Sequence, residues 1–208
     1  NTIVMITGAS SGIGAACARV FAARGAELVL VARREERLEQ LREQLVEEHD
    51  AKVRTFVVDV RDRGAVAAMV EELDAEGITP DVLINNAGLS RGIEKIQEGR
   101  FEDWDEMIDT NVKGLLFVTR LVLPAMIRQG RGHIVNLGST AGHMVYPGGN
   151  VYNATKFAVK ALTQAMNVDV AGTPIKVSSV DPGFVKTEFS LVRFHGDQER
   201  ADAVYEGF

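Results

Sequence analysis

Six short apolar runs rich in β-branched residues alternate with longer amphipathic stretches, and this alternation restricts the fold more than any other feature of the chain. The runs are Ile3 to Ile6, Leu28 to Val31, Val53 to Val58, Val82 to Ile84, His133 to Leu137 and Ile175 to Val180. They read as strands. The intervals have helical period, with Leu38, Leu41 and Leu45 forming one apolar stripe at i, i+3 and i+7. Strands joined through helices require right-handed crossovers, which build a parallel sheet with helices on both faces. Uninterrupted apolar strands fit a sheet covered on both sides. The expected architecture is a single doubly wound α/β domain over residues 1–208.

Size and composition agree with one unit. A chain of 208 residues suits one domain of ordinary size. Neither a linker, a low-complexity segment nor a repeat of fixed period interrupts it. The longest unbroken apolar run, Ala65 to Val70, falls far short of the roughly 18 residues of a membrane helix, which argues against a spanning segment. The 23 basic and 29 acidic side chains are interspersed and leave a net charge of −6, so nucleic acid is not an expected partner. Cys17 is the single cysteine. It supports no intrachain disulfide and no multi-cysteine metal site, and it fits a reducing, cytoplasmic location. His49, His133, His143 and His195 lack the paired spacing of zinc ligands and read as surface or loop residues, so no metal is expected. Asn1 leads almost directly into the first apolar run, an abrupt start that suggests a missing N-terminus.

In an open parallel sheet the ligand crevice lies beyond the carboxyl ends of the strands. Those ends carry Thr7-Gly8-Ala9-Ser10-Ser11-Gly12-Ile13-Gly14, Ala32-Arg33-Arg34, Asp59-Val60, Asn85-Asn86-Ala87-Gly88, Gly138-Ser139 and Asp181-Pro182-Gly183. Polar and glycine residues therefore converge on one edge from six places. The glycine-rich turn lets backbone approach a pyrophosphate, while the helix that follows offers unpaired N–H groups and a positive dipole end. A tight turn without a ligand is the bland alternative, and the strand-turn-helix context argues against it. No Lys-Ser or Lys-Thr follows Gly14, which disfavours a phosphate-hydrolysing P-loop.

An NAD site places an acid near the end of the second strand for the ribose 2′-hydroxyl, whereas an NADP site needs cations for the 2′-phosphate. Ala32 stands where the acid would be, and Arg33 and Arg34 follow. Arg33, at the strand tip, is the favoured phosphate ligand. Arg37 reads as part of a solvated helix face with Glu35 and Glu36.

Tyr152 and Lys156, four apart, share one helical face. An ammonium beside the phenol lowers its pKa. Moving a tyrosine from about 10 to about 7–8 takes about 3–4 kcal/mol, and a unit charge about 4 Å away supplies about 4 kcal/mol at an effective dielectric of 20. Taken alone, such a pair is ordinarily a helix surface pair; the converging strand ends reverse that reading.

The Thr7 to Gly14 turn, Asp59, Asn85 to Gly88, Asn111, Ser139, the Tyr152/Lys156 pair and Pro182-Gly183 with Thr187 together resemble the short-chain dehydrogenase/reductase family, in order and spacing, across the whole chain. The resemblance implies a Rossmann-type, NADP-dependent oxidoreductase acting on CH-OH groups. Tyr152 would be the general acid/base, Lys156 would lower its pKa and bind the nicotinamide ribose, and Ser139 would hold the substrate oxygen. Asn111 would position a water that connects Lys156 to solvent. NADP contacts are expected from Gly8, Ser10, Ser11, Gly12, Ile13, Gly14, Arg33, Arg34, Asp59, Val60, Asn85, Ala87, Gly88, Tyr152, Lys156, Pro182, Gly183, Val185 and Thr187.

Glu102-Asp103-Trp104, Ile108 to Asn111, Gly138 to Gly142, Pro147 to Tyr152 and Thr187 to Phe194 are similar to a narrower branch, the NADP-dependent enzymes that oxidise 3-hydroxy acids such as serine and allo-threonine. A reductase of 3-oxoacyl thioesters or small ketones remains an alternative, as does a non-catalytic NADP-binding sensor. Family members usually continue through a further helix and a seventh strand that help build a homotetramer, whereas this sequence stops at Phe208. A substrate carboxylate would be gripped by Arg193 through two parallel N–H bonds, on a segment with Phe189, Phe194 and Gly196 suited to a lid. The alternative for Arg193 is a surface position or a pair with Glu188 or Asp197.

Overall fold

All six expected runs form strands: β1 (Ile3–Thr7), β2 (Glu27–Ala32), β3 (Val53–Val57), β4 (Val82–Asn85), β5 (Gly132–Leu137) and β6 (Ile175–Val180). The computed structural model describes residues 2–205; Asn1 and residues 206–208, on which the expected truncation at both ends bears, lie outside them. The strands are parallel throughout and lie in the order β3-β2-β1-β4-β5-β6. That order reverses between β1 and β4, so the loops leaving these two strands diverge to opposite faces and open a crevice.

The helices are α1 (Gly12–Ala22), α2 (Glu35–His49), α3 (Arg63–Ala75), α4 (Phe101–Ile108), α5 (Leu115–Gln129), α6 (Asn150–Asp169), α7 (Phe189–Arg193) and α8 (Gln198–Ala203). Side chains alternate across the sheet and split the core in two. Val4, Ile6, Leu28 and Leu30 face α1 and the Leu38/Leu41/Leu45 stripe of α2. Met5, Val29, Leu83 and Ile134 face Val66 and Met69 of α3, Val118, Val122 and Met126 of α5 and Val159 of α6. Leu38 and Leu45 are fully buried, and truncating either to alanine costs about 2–5 kcal/mol. Local signals stop and start these helices. Asp62 caps α3 by accepting from the Gly64 and Ala65 N–H groups at 2.9 and 3.0 Å, and Gly130 ends α5 in the left-handed conformation, φ +78°.

Two features depart from the sequence reading. From Phe101 to Gln129, α4, a π-helical turn (Asp109–Gly114) and α5 run on as one helix with the length and apolar content of a membrane span, although polar residues interrupt it and leave no long unbroken apolar run. Half of its apolar window is buried, with Leu115, Val118, Val122 and Met126 in the core beneath the sheet. His133, expected on the surface or in a loop, lies on β5 and is half-buried, with Nε2 2.8 Å from the Ser178 hydroxyl of β6.

Candidate active site

The crevice is a cleft of about 760 Å³. Its floor begins at the turn after β1. Gly8 takes φ +65°, and a Cβ there would meet the Ala87 Cα at 2.8 Å, so glycine lets the β1 and β4 loops touch. A Cβ on Gly14 would lie 2.4 Å from the Gly8 carbonyl oxygen, which presses α1 against its own turn. Ser11 caps α1 without a side-chain hydrogen bond, leaving the first-turn N–H groups for a ligand. These groups fit a pyrophosphate.

The structure brings most of the expected cofactor residues onto the wall of this cleft: Gly8, Ser10, Ser11, Gly12, Ile13, Arg33, Arg34, Asp59, Val60, Ala87, Gly88, Pro182, Gly183, Val185 and Thr187. It sets two behind the wall. Gly14 lies inside the turn, as its contacts require. Asn85 points its amide away, donating to Thr119 Oγ1 and Asn136 Oδ1, each at 2.9 Å, because β4 alternates its side chains and the next residue faces the cleft. Asn86 lines the cleft instead and ties the two loops, donating to the Thr7 and Gly8 carbonyls at 2.9 and 3.0 Å. The adjacent asparagines made either one possible from sequence; only strand register separates them.

The arginines after β2 divide. Arg33 Nη1 lies 3.8 Å from Asp59 and 3.6 Å from Glu106, in a network with Arg61 and Arg91. Burial pushes the Asp59 carboxyl up, and hydrogen bonds from the Arg61 guanidinium and N–H, with the charges of Arg61 and Arg33, more than reverse this and hold it low. Arg34 reaches the other way, donating to Ser10 Oγ at 3.1 and 3.2 Å and to Ser11 Oγ at 2.7 Å.

At the opposite end Ser139, Tyr152, Lys156 and Arg193 line one compartment of the cleft. Ser139 leaves β5 and caps a short 3-10 turn (Thr140–Gly142), its hydroxyl accepting from the Ala141 N–H at 3.1 Å. Asn153 of α6 donates to the Ala141 and Met144 carbonyls at 2.8 and 2.9 Å, which locks the Ser139 loop to the helix that carries Tyr152. Burial pushes the Tyr152 phenol up to about 12, against the Ser139 hydrogen bond and the Arg193 charge, which pull it down. Lys156 does not supply the expected depression. Its ammonium, 5.9 Å from the ring centre, donates to the Leu137 carbonyl at 2.8 Å, and burial lowers its own pKa to about 8 against the raising charge of Asp181.

Asn111 lies in the π-helical turn, behind the cleft wall, with its amide engaged: Oδ1 accepts from the Leu89 N–H, and Nδ2 donates to the Leu89 carbonyl and to Thr155 Oγ1, at 2.8, 2.8 and 3.0 Å. Asn111 Oδ1 and Lys156 Nζ flank the same glycine, lying 3.2 and 3.8 Å from where a Cβ on Gly88 would sit. Arg193 is neither on the surface nor paired with Glu188 or Asp197. It is buried, with Nε donating to Ser90 Oγ at 3.1 Å and Nη2 to the Tyr146 hydroxyl at 2.9 Å, and its guanidinium lies 5.5 and 5.4 Å from the centres of the Tyr152 and Phe189 rings. Among the described residues no carboxylate pairs with it. Sequence reading missed Tyr146, Ser90 and the helix α7 that delivers Arg193, since a short polar-aromatic segment carries no helical period.

A family model described as short chain dehydrogenase matches residues 2–197. The NADP-dependent 3-hydroxy acid dehydrogenase YdfG of Salmonella typhi is 47% identical over 205 residues, covering 98% of this chain and 81% of that protein. Sulfoacetaldehyde reductase 2 of Chromohalobacter salexigens is 48% identical over 206 residues, covering 99% and 81%. The closed form of serine dehydrogenase complexed with NADP⁺ superposes with a TM-score of 0.93 at 42% identity, covering 100% of this chain and 82% of that one. A family match of that extent, over the sheet order and the crevice described above, makes the chain an oxidoreductase of the short chain dehydrogenase family.

Proposed function

We propose that the chain transfers a hydride between NADP(H) and a small 3-hydroxy acid or its 3-oxo partner, with Tyr152 as general acid/base. One observation carries the substrate class: Arg193, a buried guanidinium without a carboxylate partner among the described residues, stands in the same compartment as Ser139 and Tyr152. A buried cation calls for an anion. The relatives named for 3-hydroxy acids and NADP support the same reading.

The glycine turn and the start of α1 hold the pyrophosphate, and the arginines after β2 hold the 2′-phosphate in place of the acid an NAD site would use. Bound, the nicotinamide supplies the hydride donor or acceptor. The chain orients and manages the proton. The Ser139 and Tyr152 hydroxyls hold the substrate oxygen. With its pKa near 12 before ligands bind, the phenol is protonated at neutral pH and ready to donate to a carbonyl oxygen. In oxidation the phenolate form accepts the hydroxyl proton, and the charge of Arg193 stabilises that form. Asn111 positions the water through which Lys156 exchanges protons with solvent.

The 48% identical sulfoacetaldehyde reductase favours a second reading of the same pocket, in which Arg193 takes a sulfonate. A cytoplasmic location is the accompanying proposal, supported by the single, unpaired Cys17. A homotetramer is proposed as well, supported by exposed apolar side chains such as Ile108, Leu116 and Phe157 along α4, α5 and α6. The test is an initial-rate panel of the full-length protein with NADP⁺ and NAD⁺ against serine, 3-hydroxybutyrate, isethionate and the two methyl esters of the acids. NADP⁺-dependent turnover that favours a free 3-hydroxy acid supports the proposal, and a preference for isethionate supports the second reading. Turnover confined to NAD⁺, or to the esters, overturns it.

A further inference from the structure

Arg34 and Arg37 converge on one carboxylate, that of Glu188. Arg34 Nη1 donates to Oε2 at 3.0 Å and Arg37 Nη1 donates to Oε1. A separation of three residues puts both arginines on one side of the start of α2, whereas Glu188 arrives from 151 positions further on, immediately before α7. The same Arg34 guanidinium also grips the Ser10 and Ser11 hydroxyls of the glycine turn. We infer that Arg34 and Arg37 form the 2′-phosphate site and that Glu188 occupies it until NADP(H) binds. The inference rests on the NADP reading above and deepens it, because it moves the recognition of the phosphate from Arg33 to Arg34 and Arg37 and adds a competing anion from the chain itself.

Existing partners separate the candidates. Arg33 is held between two carboxylates, Asp59 and Glu106, in a network that Arg61 and Arg91 complete. Arg34 and Arg37 have Glu188 alone as their ion-pair partner among the described residues. A carboxylate bridging two guanidinium groups copies the way two phosphate oxygens are bound. The cluster needs no opening to be reached, since Arg34, Arg37 and Glu188 are 42%, 45% and 37% exposed. A phosphate monoester brings about −1.5 to −2 charges; alongside Glu188 that exceeds the two cations, so the carboxylate leaves. The neutral 2′-hydroxyl of NAD has no such charge and leaves Glu188 in place. Glu188 thereby lowers the affinity for NADP(H) alone, and its departure unties the start of the helix that ends in Arg193.

The experiment compares binding of 2′-AMP, 5′-AMP, NADP⁺ and NAD⁺ to the full-length wild type, Glu188→Gln and Arg37→Ala by calorimetry. Each exposed ion pair of this kind contributes up to about fivefold in affinity, and Glu188 makes two. Glu188→Gln should therefore tighten 2′-AMP and NADP⁺ by roughly three- to tenfold and leave 5′-AMP and NAD⁺ unchanged. Arg37→Ala should weaken the two 2′-phosphate ligands by a similar factor and spare the others. A wild type that binds NADP⁺ no better than NAD⁺ defeats the cofactor reading itself. A wild type that prefers NADP⁺ while Glu188→Gln shows unchanged 2′-AMP affinity, or equal gains on 5′-AMP, defeats this inference alone.

Discussion

The Arg193 guanidinium stands 5.5 Å from the centre of the Tyr152 ring, nearer than the Lys156 ammonium at 5.9 Å. The cation that most directly offsets burial of the phenol therefore comes from α7, 41 positions down the chain, and not from the helix that carries the tyrosine. If Arg193 also grips the substrate, Arg193→Ala should lose about 10- to 150-fold in kcat/KM on a free acid, the worth of about 1.5–3 kcal/mol for hydrogen bonds to a charged group. The methyl ester should lose far less. Removing the cation also raises the phenol further, so the pH at which oxidation accelerates should move upward. Equal losses on acid and ester with an unmoved profile would assign Arg193 to structure.

Tyr152→Phe removes the hydroxyl proposed to pass the substrate proton. Turnover should fall by roughly 10²–10⁴-fold, with cofactor affinity kept, because the ring still packs against Phe189 at 5.6 Å. In the wild type, oxidation should rise with pH from neutrality as the phenol ionises, whereas carbonyl reduction should not. Near-normal turnover in the variant would remove Tyr152 from the chemistry.

Lys156 is held at a cost in stability. Burial lowers its pKa from 10.5 to about 8, which amounts to roughly 3 kcal/mol against the folded state wherever the lysine is charged in both states. Since the folded value is the lower one, the penalty is full below about pH 8 and fades as pH rises towards 10.5. Lys156→Met should therefore be more stable than the wild type at pH 7, by up to about 1.5 kcal/mol once the lost charge-assisted bond to Leu137 is deducted, and the gap should close towards pH 10. The variant should be inactive. A variant less stable at pH 7, measured by urea unfolding, would mean that the lysine is better satisfied in the fold than its burial implies.

What could be read from the chain before its fold was known followed the range of the forces involved. β-Branched runs and helical periods are local, so all six strands were legible to within a residue or two, and the glycine turn and the Tyr152/Lys156 pair are local motifs. Register and long-range contact are not. Asn85 and Asn86 are equivalent as letters, and only the alternation of β4 turns one to the core and the other to the cleft. Spacing placed Lys156 near the phenol but could not show that the Leu137 carbonyl would hold its ammonium or that burial would outweigh it. Arg37 likewise read as solvated helix surface because its partner, Glu188, lies far along the sequence.

Gly14 and Gly183 offer a last test, since both stand in motifs and only one is sterically obligatory. A Cβ on Gly14 would meet the Gly8 carbonyl oxygen at 2.4 Å and the Asn86 amide nitrogen at 2.5 Å, so backbone has to move. On Gly183 the nearest atom would be the Thr140 methyl at 4.0 Å, an ordinary contact. Overpacking of this kind typically costs about 1–3 kcal/mol. Gly14→Ala should accordingly lower stability by at least that much and, by spreading the turn after β1, weaken both NADP⁺ and NAD⁺. Gly183→Ala should unfold at the same urea concentration as the wild type. Because the displaced atoms at Gly14 include the Asn86 amide that ties the β1 and β4 loops, an unaffected midpoint in Gly14→Ala would mean that the two loops separate without cost, contrary to the packing that defines the crevice.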